Sequence, residues 1–430
     1  MTTPEALFDQ NGRMRIMDGM RYYKKTDKEN NMPRFVITLD EVVDRNCLQY
    51  AAELAMKRFC VQRLTVVQDE ERFYLKKNHK KPVVHQEDGS QHTVCTDENN
   101  GHMTWIGFDG CDIIVEFFHG VSDGRGMLPF LELLIRAYCQ KKHQTDDDLS
   151  ALIETDENPL ECMEGVRFIQ QAEAQRLPGY SWQSALVLSG THLDNESACH
   201  LYDLTVEAAP FEAYMRQNGS SRSGLFASFM NHAIAGRHRV DEKPIVAALA
   251  VDARRACGAD PTMQCCVATV PVWLDKDVLA LPMNERLKMA RQMIVDGTQK
   301  ENILASVLGS MHFTERLEAQ HPSLEAKKAY CRQITKGDNN RYTYGISYVG
   351  EVRFGEAADE HVRAFRTVLC ANTIPVIIEI TKFKAHYHIS YCTHFEDDGY
   401  LDAFRQMFLD AGIPCKCQYK GIYTETLAVF

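Results

Sequence analysis

The sequence predicts a mixed α/β (α+β) fold that is arranged in two lobes. Strand-like and helix-like segments are mixed in both halves of the 430-residue chain, and a polar, turn-rich stretch separates the halves. No tandem repeat or low-complexity tract is present, which argues against a solenoid or a propeller. We therefore expect an N-terminal lobe at 1–165, an inter-lobe connection at 166–197 and a C-terminal lobe at 198–430.

The first half opens with a predicted strand, Phe35–Leu39, which a helix should follow. We expect Asp44 to be the N-cap of that helix, because its side chain can accept hydrogen bonds from the first turn. Apolar residues at helical spacing then form one stripe: Leu48, Ala52, Ala55 and Phe59. Short strands are expected next, at 64–68, 73–75 and 83–84.

The most informative segment is an apolar strand, 111–118, that runs into a glycine-rich loop from His119 to Gly126. A helix ending near Gln140 should follow this loop. Proline is tolerated in the first turn of a helix, so Pro129 indicates a start near Met127. With that start, Asp123 lies several residues before the helix, which is too early for its N-cap.

The second half repeats the mixture of helices and strands. A helical stretch over 210–237 is interrupted at 218–220, and 244–251 is a buried strand. The remaining expected elements are helices near 284–296, 322–334 and 401–411, and strands near 344–353, 365–370, 374–381 and 385–394.

Composition narrows the class of protein. With 48 basic and 59 acidic residues the net charge is −11, which argues against a nucleic-acid partner. No apolar run approaches the ~18 residues that a membrane span needs, and the first twenty residues lack the apolar core of a secretory signal. The 15 scattered cysteines are typical of reduced thiols. We expect a cytoplasmic protein.

Two kinds of site lose support. Four side chains share one face of a predicted strand: His386, His388, Cys392 and His394. Metal ligands normally come from more than one element, so a polar or tunnel-lining face explains these side chains better than a metal site. We therefore expect no metal. The sequence also lacks the GxSxG, P-loop, GxGxxG and HExxH motifs of hydrolases, nucleotide-binding proteins and zinc peptidases.

The glycine-rich loop is the candidate site. His119 leaves an apolar strand, where burial can keep its ring neutral and able to accept a proton, and Asp123 can fix the loop through an ion pair. The alternative is that His119 is a turn residue and Asp123 a helix cap, since short motifs match by chance. Arg254 favours the first interpretation, because it ends a strand of the other half and can pair with a carboxylate across the lobes.

The order of four segments resembles the chloramphenicol acetyltransferase-like superfamily. These are the HxxxDG loop at 119–124, the VDARR segment at 251–255, Val270–Val272 and Gly345–Gly350. The resemblance spans roughly residues 14 to 411 and is greatest to the alcohol acetyltransferase, condensation-domain and polyketide-associated acyltransferase branch. It implies two similar lobes that meet at a tunnel, with acyl donor and acceptor entering from opposite sides.

The resemblance also implies roles for single residues. His119 matches the catalytic general base, Asp123 the structural aspartate and Arg254 its ion-pair partner. Gly124 matches a glycine that lets substrate pass close to the loop, and Ser347 lies where the family lines its tunnel or contacts the oxyanion. The chain departs from the family pattern at positions 118 and 348, where relatives often carry histidine and asparagine, and it lacks the DFGWG signature.

The function implied is acyl transfer from a CoA thioester to a hydroxyl or amine of a small acceptor. Acyl-CoA is then a co-substrate, and no cofactor is permanently bound. One alternative is a stand-alone condensation-type enzyme that takes its thioester from an acyl-carrier protein. Another is a non-catalytic member that binds a ligand in the inherited tunnel. Because two lobes complete the site within one chain, we expect a monomer.

Overall fold

The computed structural model describes residues 10–11, 13–16, 19–25, 30–153, 184–195, 197–260, 262–338, 341–370, 374–396 and 399–430. Most of the predicted connection at 166–197 lies outside the described residues, so the division into 1–165, 166–197 and 198–430 stays a prediction.

The strands, numbered in chain order, are β1 (Arg13–Arg15), β2 (Arg34–Leu39), β3 (Leu64–Gln68), β4 (Phe73–Lys77), β5 (Val84–Gln86), β6 (Thr93–Val94), β7 (Thr104–Asp109), β8 (Asp112–Phe117), β9 (Ala198–Glu207), β10 (Ile245–Asp252), β11 (Val267–Leu274), β12 (Tyr344–Val352), β13 (Val362–Val368), β14 (Val376–Phe383), β15 (His386–Thr393), β16 (Cys415–Thr424) and β17 (Leu427–Ala428).

The helices are α1 (Gly19–Lys24), α2 (Arg45–Arg58), α3 (Gly124–His143), α4 (Ser150–Ile153), α5 (Ala208–Gln217), α6 (Arg222–Ala235), α7 (Arg254–Cys257), α8 (Lys276–Leu279), α9 (Met283–Gly297), α10 (Lys300–Gln320), α11 (Leu324–Asp338), α12 (Glu356–His361) and α13 (Gly399–Asp410). A short 3-10 helix covers Cys60–Arg63.

Two large mixed sheets define the two lobes. Within the described residues, the first lobe has a five-stranded sheet in the order β13-β2-β8-β7-β5, and the second has a seven-stranded sheet in the order β11-β10-β12-β14-β15-β9-β16. Helices α2 and α3 pack on the first sheet over one apolar core, and α6, α9 and α13 pack on the second over another. The prediction of a mixed α/β fold in two lobes is confirmed.

The predicted helices and strands agree best with the structure where apolar residues recur at a clear helical or strand spacing. Helix α2 begins directly after Asp44, whose carboxylate accepts hydrogen bonds from the backbone N–H groups of Asn46 and Cys47 at 2.9 and 3.1 Å. Strands β9 and β16 and helix α10 have no counterpart in the prediction. Strand β16 lies at the edge of its sheet and is mostly exposed, so its sequence lacks the apolar alternation of a half-buried strand.

The predicted start of the helix after the His119 loop was wrong. Helix α3 begins at Gly124, and Asp123 is its N-cap, since the Asp123 carboxylate accepts the backbone N–H of Gly126 at 2.8 Å. Pro129 therefore lies inside the helix, where it lacks one N–H donor without ending it. The cap closes the first turn and determines where the helix starts.

Strand β13 joins the two lobes. It follows the second lobe's β12 in sequence but pairs antiparallel with β2 of the first sheet, with Phe365 opposite Ile37. The hydroxyl of Thr381 on β14 donates to the Phe365 carbonyl at 2.9 Å. Arg366 of β13 pairs with Asp203 of the second sheet and lies 3.5 Å from Asp112 of the first. One arginine thus contacts a carboxylate from each lobe.

In the part of the chain that the structure describes, no helix combines the length and apolarity that a membrane crossing requires.

We expect Arg366→Met to lower the free energy of unfolding by about 1–3 kcal/mol, because it leaves two half-buried carboxylates without their cation. Urea unfolding at pH 7 measures this. Arg353→Met is the matched control, since the Arg353–Glu351 pair is exposed to solvent and its loss should leave the unfolding midpoint unchanged. Equal midpoints for both variants and the wild type would contradict the role of Arg366 between the lobes.

Candidate active site

His119 lies two residues beyond the end of β8, in the loop that leads to α3. Its backbone N–H donates to the Asn31 carbonyl at 2.9 Å. On the ring, Nδ1 lies 2.9 Å from the Ser122 carbonyl oxygen, which can only accept, so Nδ1 carries the proton. The other ring nitrogen, Nε2, is therefore the one with a free lone pair. This arrangement fixes the tautomer that a general base needs.

The surroundings of His119 disfavour its charged form. Burial, together with the positive charge of nearby Arg21, lowers the pKa of His119 to about 3. The residue as a whole is half-buried and keeps part of its surface open. A ring that is neutral at pH 7 is able to accept a proton.

The Asp123 carboxylate organises the loop. It caps α3, as described above, and its second oxygen accepts from the Arg254 guanidinium at 2.9 Å and from the backbone N–H of Cys266 at 2.7 Å. The side chain is 2% exposed. A buried carboxylate is stable only when its lone pairs are satisfied, and here they are. Asp123 therefore acts both as a helix cap and as half of an ion pair.

Arg254 reaches Asp123 from the other lobe, and its side chain is 6% exposed. It begins α7, just after β10, and donates to the carbonyls of Thr262 and Gln264 at 2.8 and 2.7 Å. A third contact, at 2.8 Å, goes to the Asp252 carboxylate. The structure thus brings Arg254, 131 residues later in the sequence, to Asp123 in the His119 loop.

Two glycines differ in what surrounds them. A Cβ at Gly124 would lie 3.2 Å from a methyl group of Val349 on β12, so this position lets α3 approach the second sheet. A Cβ at Gly126 would lie 2.5 Å from the Met263 carbonyl and 2.6 Å from the Arg254 guanidinium. Gly126, which the sequence analysis did not single out, is therefore required for the ion pair to close.

Ser347 lies in the middle of β12, with Ala250 and Glu379 opposite it on the neighbouring parallel strands. It precedes Val349, which contacts the start of α3, by two residues. Burial raises the pKa of Glu379 to about 7, although the hydroxyls of Ser347 and Thr367 oppose that rise. Ser347 thus belongs to a polar cluster on the second sheet, and its contact with an oxyanion stays a prediction.

Sequence reasoning missed the segment that completes the site from the second lobe. The thiol of Cys265 lies 3.8 Å from Nδ1 of His119, and the next residue supplies the backbone N–H to Asp123. The hydroxyl of Ser122 also donates to the Met263 carbonyl across the lobes. The paired cysteines were visible in the sequence, but no spacing rule connects them with a loop about 140 residues earlier.

The predicted polar face of β15 carries two histidines whose surroundings the structure shows, His388 and His394. Burial lowers the pKa of His388 to about 4, with help from the nearby charges of His386 and Arg366, and His394 hydrogen-bonds the Ala198 carbonyl at 2.8 Å. The opposite face packs into the second core, as predicted, through Tyr387, Ile389 and Tyr391.

Among the described residues, one group brings metal-type ligand atoms within 4.8 Å of one another: Glu87, Asp88 and His92. Both ring nitrogens of His92 are engaged, by Glu87 at 2.6 Å and by Glu116 at 3.1 Å. Burial opposes protonation of this ring, but the hydrogen bonds to Glu116 and Glu87 raise its pKa to about 9. A protonated imidazole has no lone pair for a metal, so the residues do not fit one.

A polar groove of about 410 Å³ lies between the two sheets. It follows the first half of β8, whereas His119 comes after the end of that strand. Charged side chains from both lobes line it: Arg34, Glu87, Asp109, Asp112, Asp203, Arg366 and Lys420. The groove is therefore separate from the His119 loop.

No family model and no curated protein sequence matches the chain. Solved structures do match it over nearly its whole length. The epimerization domain from the third module of tyrocidine synthetase B has a TM-score of 0.59 and 12% identity, over 93% of this chain and 97% of that one.

Two further solved structures match the chain over a similar length. TRI101 of F. sporotrichioides, in complex with coenzyme A and T-2, has a TM-score of 0.60 and 11% identity, over 93% of this chain and 98% of that one. Polyketide synthase associated protein 5 from Mycobacterium tuberculosis has a TM-score of 0.56 and 11% identity, over 92% and 96%. The chain therefore has the two-lobed chloramphenicol acetyltransferase-like fold of acyltransferases and condensation domains.

We expect Arg254→Ala to lower the free energy of unfolding by about 3–5 kcal/mol, because it leaves the Asp123 carboxylate buried without its cation. Chemical denaturation at pH 7 measures the loss. Arg255→Ala is the matched control, since Arg255 is the exposed neighbour in the same helix. If Arg254→Ala unfolds with the same midpoint as Arg255→Ala, the ion pair does not hold the loop.

Proposed function

We propose that the protein is an acyltransferase that moves an acyl group from a CoA thioester to the hydroxyl or amine of a small acceptor, with His119 as general base. The observation that carries this proposal is the protonation state and tautomer of the His119 ring. His119 is neutral, its tautomer is set by the Ser122 carbonyl, and its loop is held by an ion pair between the lobes.

In the proposed reaction, Nε2 of His119 takes the proton of the acceptor hydroxyl or amine. The acceptor oxygen or nitrogen then forms a bond to the thioester carbonyl, which gives a tetrahedral intermediate with a negative oxygen. As that intermediate collapses, the carbon–sulfur bond breaks, and protonated His119 returns its proton to the leaving thiolate. The Nδ1–H···O=C bond to Ser122 persists throughout and keeps Nε2 directed at the reacting atoms.

The other site residues have supporting roles in this proposal. Asp123 and Arg254 hold the loop and do not exchange protons, since their charges are fully committed to each other and to backbone groups. Ser347 donates to the oxyanion, in line with its place on the strand that contacts the HxxxDG loop through Val349. Gly124 keeps the start of α3 close to Val349 of the second sheet, and a path for substrate beside it stays a prediction from the family resemblance.

Similar proteins support acyl-CoA as the donor. TRI101 structures have been solved with coenzyme A together with T-2 or deoxynivalenol, so this fold accommodates CoA beside a small acceptor. We propose acyl-CoA as a co-substrate on this basis, with no permanently bound cofactor. A monomeric enzyme in the cytoplasm completes the proposal.

A carrier-protein thioester is the second candidate donor. The matching tyrocidine synthetase domain and the condensation domain of a monacolin K polyketide synthase favour it, because both belong to multidomain synthetases. Comparing acetyl-CoA with acetylated carrier protein at equal thioester concentration separates the two. Turnover with the carrier protein alone would replace the CoA proposal.

We expect His119→Ala to lower kcat about 10²–10⁴-fold with little change in thermal stability, because it removes the base and leaves the ion pair intact. Thiol release from acetyl-CoA, measured against a panel of alcohols and amines, tests this. His79→Ala is the control, since His79 is exposed. Undiminished turnover in His119→Ala would refute the role, and no turnover by the wild type with any donor would favour a ligand-binding protein.

The low pKa of His119 predicts an unusual pH profile. An ordinary histidine base loses activity below about pH 6.5 because it becomes protonated. With a pKa of about 3, His119 stays neutral through mildly acidic pH, so kcat/KM should remain level from pH 7.5 to 5. Initial rates in constant-ionic-strength buffers test this. A ten-fold fall in kcat/KM between pH 7 and 5, with the protein still folded, would contradict the prediction.

A further inference from the structure

We propose that Glu425 and Phe430, at the two ends of the segment 425–430, are positioning residues for the catalytic base His119. This inference rests on the proposed function, since it takes His119 to be the base. Two independent sets of contacts carry it: hydrogen bonds that reach the His119 backbone through a neighbouring turn, and aromatic packing against the residue that precedes His119.

The first set runs through the turn at residues 30–32. The Glu425 carboxylate, which is fully buried, accepts the backbone N–H of Asn30 at 3.1 Å and that of Met32 at 2.7 Å. Asn31 between them adopts a left-handed conformation with φ of 52°. Its carbonyl accepts the backbone N–H of His119 at 2.9 Å. One carboxylate thus holds both sides of the residue that binds the His119 backbone.

The left-handed conformation at Asn31 makes this support necessary. Residues other than glycine seldom adopt a positive φ, and asparagine does so at a smaller cost than most. The two hydrogen bonds from Glu425 offset that cost, and the Asn30 amide oxygen also accepts the backbone N–H of Ala428 at 3.2 Å. Without Glu425, the left-handed conformation of Asn31 is less stable, and the Asn31 carbonyl is held less firmly toward the backbone N–H of His119.

The second set is a cluster of rings under the loop. Phe430 packs edge-on against Phe118 with ring centroids 5.2 Å apart, and it contacts Phe73 at 5.3 Å and Tyr22 at 6.0 Å. Tyr22 also packs against Phe118 at 4.9 Å, and its hydroxyl donates to the Gly120 carbonyl at 3.3 Å. Both sequence neighbours of His119 are therefore in contact with this ring cluster.

The ring cluster packs tightly against the loop at Gly120. A Cβ at Gly120 would lie 2.5 Å from the Phe118 ring and 2.7 Å from the Tyr22 ring. Removing the Phe430 ring opens a cavity beside the rings of Phe118, Phe73 and Tyr22, and the loop is then free to relax into it. Because a displacement of about 1 Å can cost ~10²-fold in rate, this relaxation should appear in kcat.

The segment itself is firmly attached to the first lobe. Strand β17 pairs in parallel with β6, and the backbone N–H of Val429 donates to the Val94 carbonyl at 3.0 Å. Just before it, the hydroxyls of Tyr423 and Thr426 donate to the buried Glu116 carboxylate on β8. Residues 423–429 are thus anchored independently of Phe430, so changing this ring should leave the rest of the segment in place.

The test compares three variants in the full chain. Phe430→Ala should lower kcat about 10–100-fold while KM for acetyl-CoA changes less than three-fold. Phe430→Tyr keeps the ring and should retain at least a third of wild-type kcat. Val429→Ala is the control, because the Val429 side chain is 50% exposed and only its backbone takes part in the contacts. It should match the wild type.

A second readout does not depend on activity. In protein labelled with ¹⁵N-histidine, the His119 ring signals, assigned by their loss in His119→Ala, should shift in Phe430→Ala and stay in place in Phe430→Tyr and Val429→Ala. Glu425→Gln should shift the same signals, since its amide presents a donor to one of the two N–H groups that the carboxylate satisfies.

The outcomes separate the two proposals. If His119→Ala keeps full activity, the proposed function fails, and with it the role of this segment in catalysis. If His119→Ala is inactive but Phe430→Ala keeps wild-type kcat and unshifted ring signals, only the positioning role is overturned. Equal losses of kcat in Phe430→Ala and Phe430→Tyr, in step with loss of folded protein, would also overturn it.

Discussion

The Asp123 carboxylate is the point on which the arrangement of the loop depends. Its two oxygens accept from the first turn of α3, from the backbone before β11 and from the Arg254 guanidinium, so three segments of the chain meet at one charge. A buried ion pair is costly unless hydrogen bonds satisfy both partners, and Arg254 has further partners in Asp252 and two carbonyls. The pair therefore fixes the Asp123 end of the loop that carries His119.

The two lobes are also connected at the crossover strand. Strand β13 comes from the second half of the sequence, yet it completes the first sheet, and Arg366 on it contacts carboxylates of both sheets. The ion pair at Arg254 and the contacts of Arg366 together fix how the sheets face each other. Polar side chains lie between the sheets, among them Glu379 and His388. Burial raises the pKa of Glu379 and lowers the pKa of His388, so it favours the neutral form of both.

Burial has the same effect on the candidate base, because it lowers the pKa of His119. An imidazole that is surrounded by protein and placed near the positive charge of Arg21 stays neutral, and the Ser122 carbonyl then selects the tautomer with Nε2 free. The Asp123 carboxylate bonds Gly126, Arg254 and Cys266 and not the ring, so it holds the loop. Support for the loop comes from both of its sides: the second lobe holds Asp123, and residues 425–430 lie beneath Phe118 and the turn that binds the His119 backbone.

The sequence by itself determined the mixed α/β class, most helices and strands, and the order His119, Asp123, Arg254, because apolar periodicity, caps and turn residues are local properties. It also indicated that Arg254 could reach Asp123. Only the tertiary structure decided that β13 crosses into the first sheet, and that Gly126, Cys265, Glu425 and Phe430 surround the loop. These facts depend on residues up to about 400 positions apart in the chain, and no local period or spacing encodes which distant segments pack together.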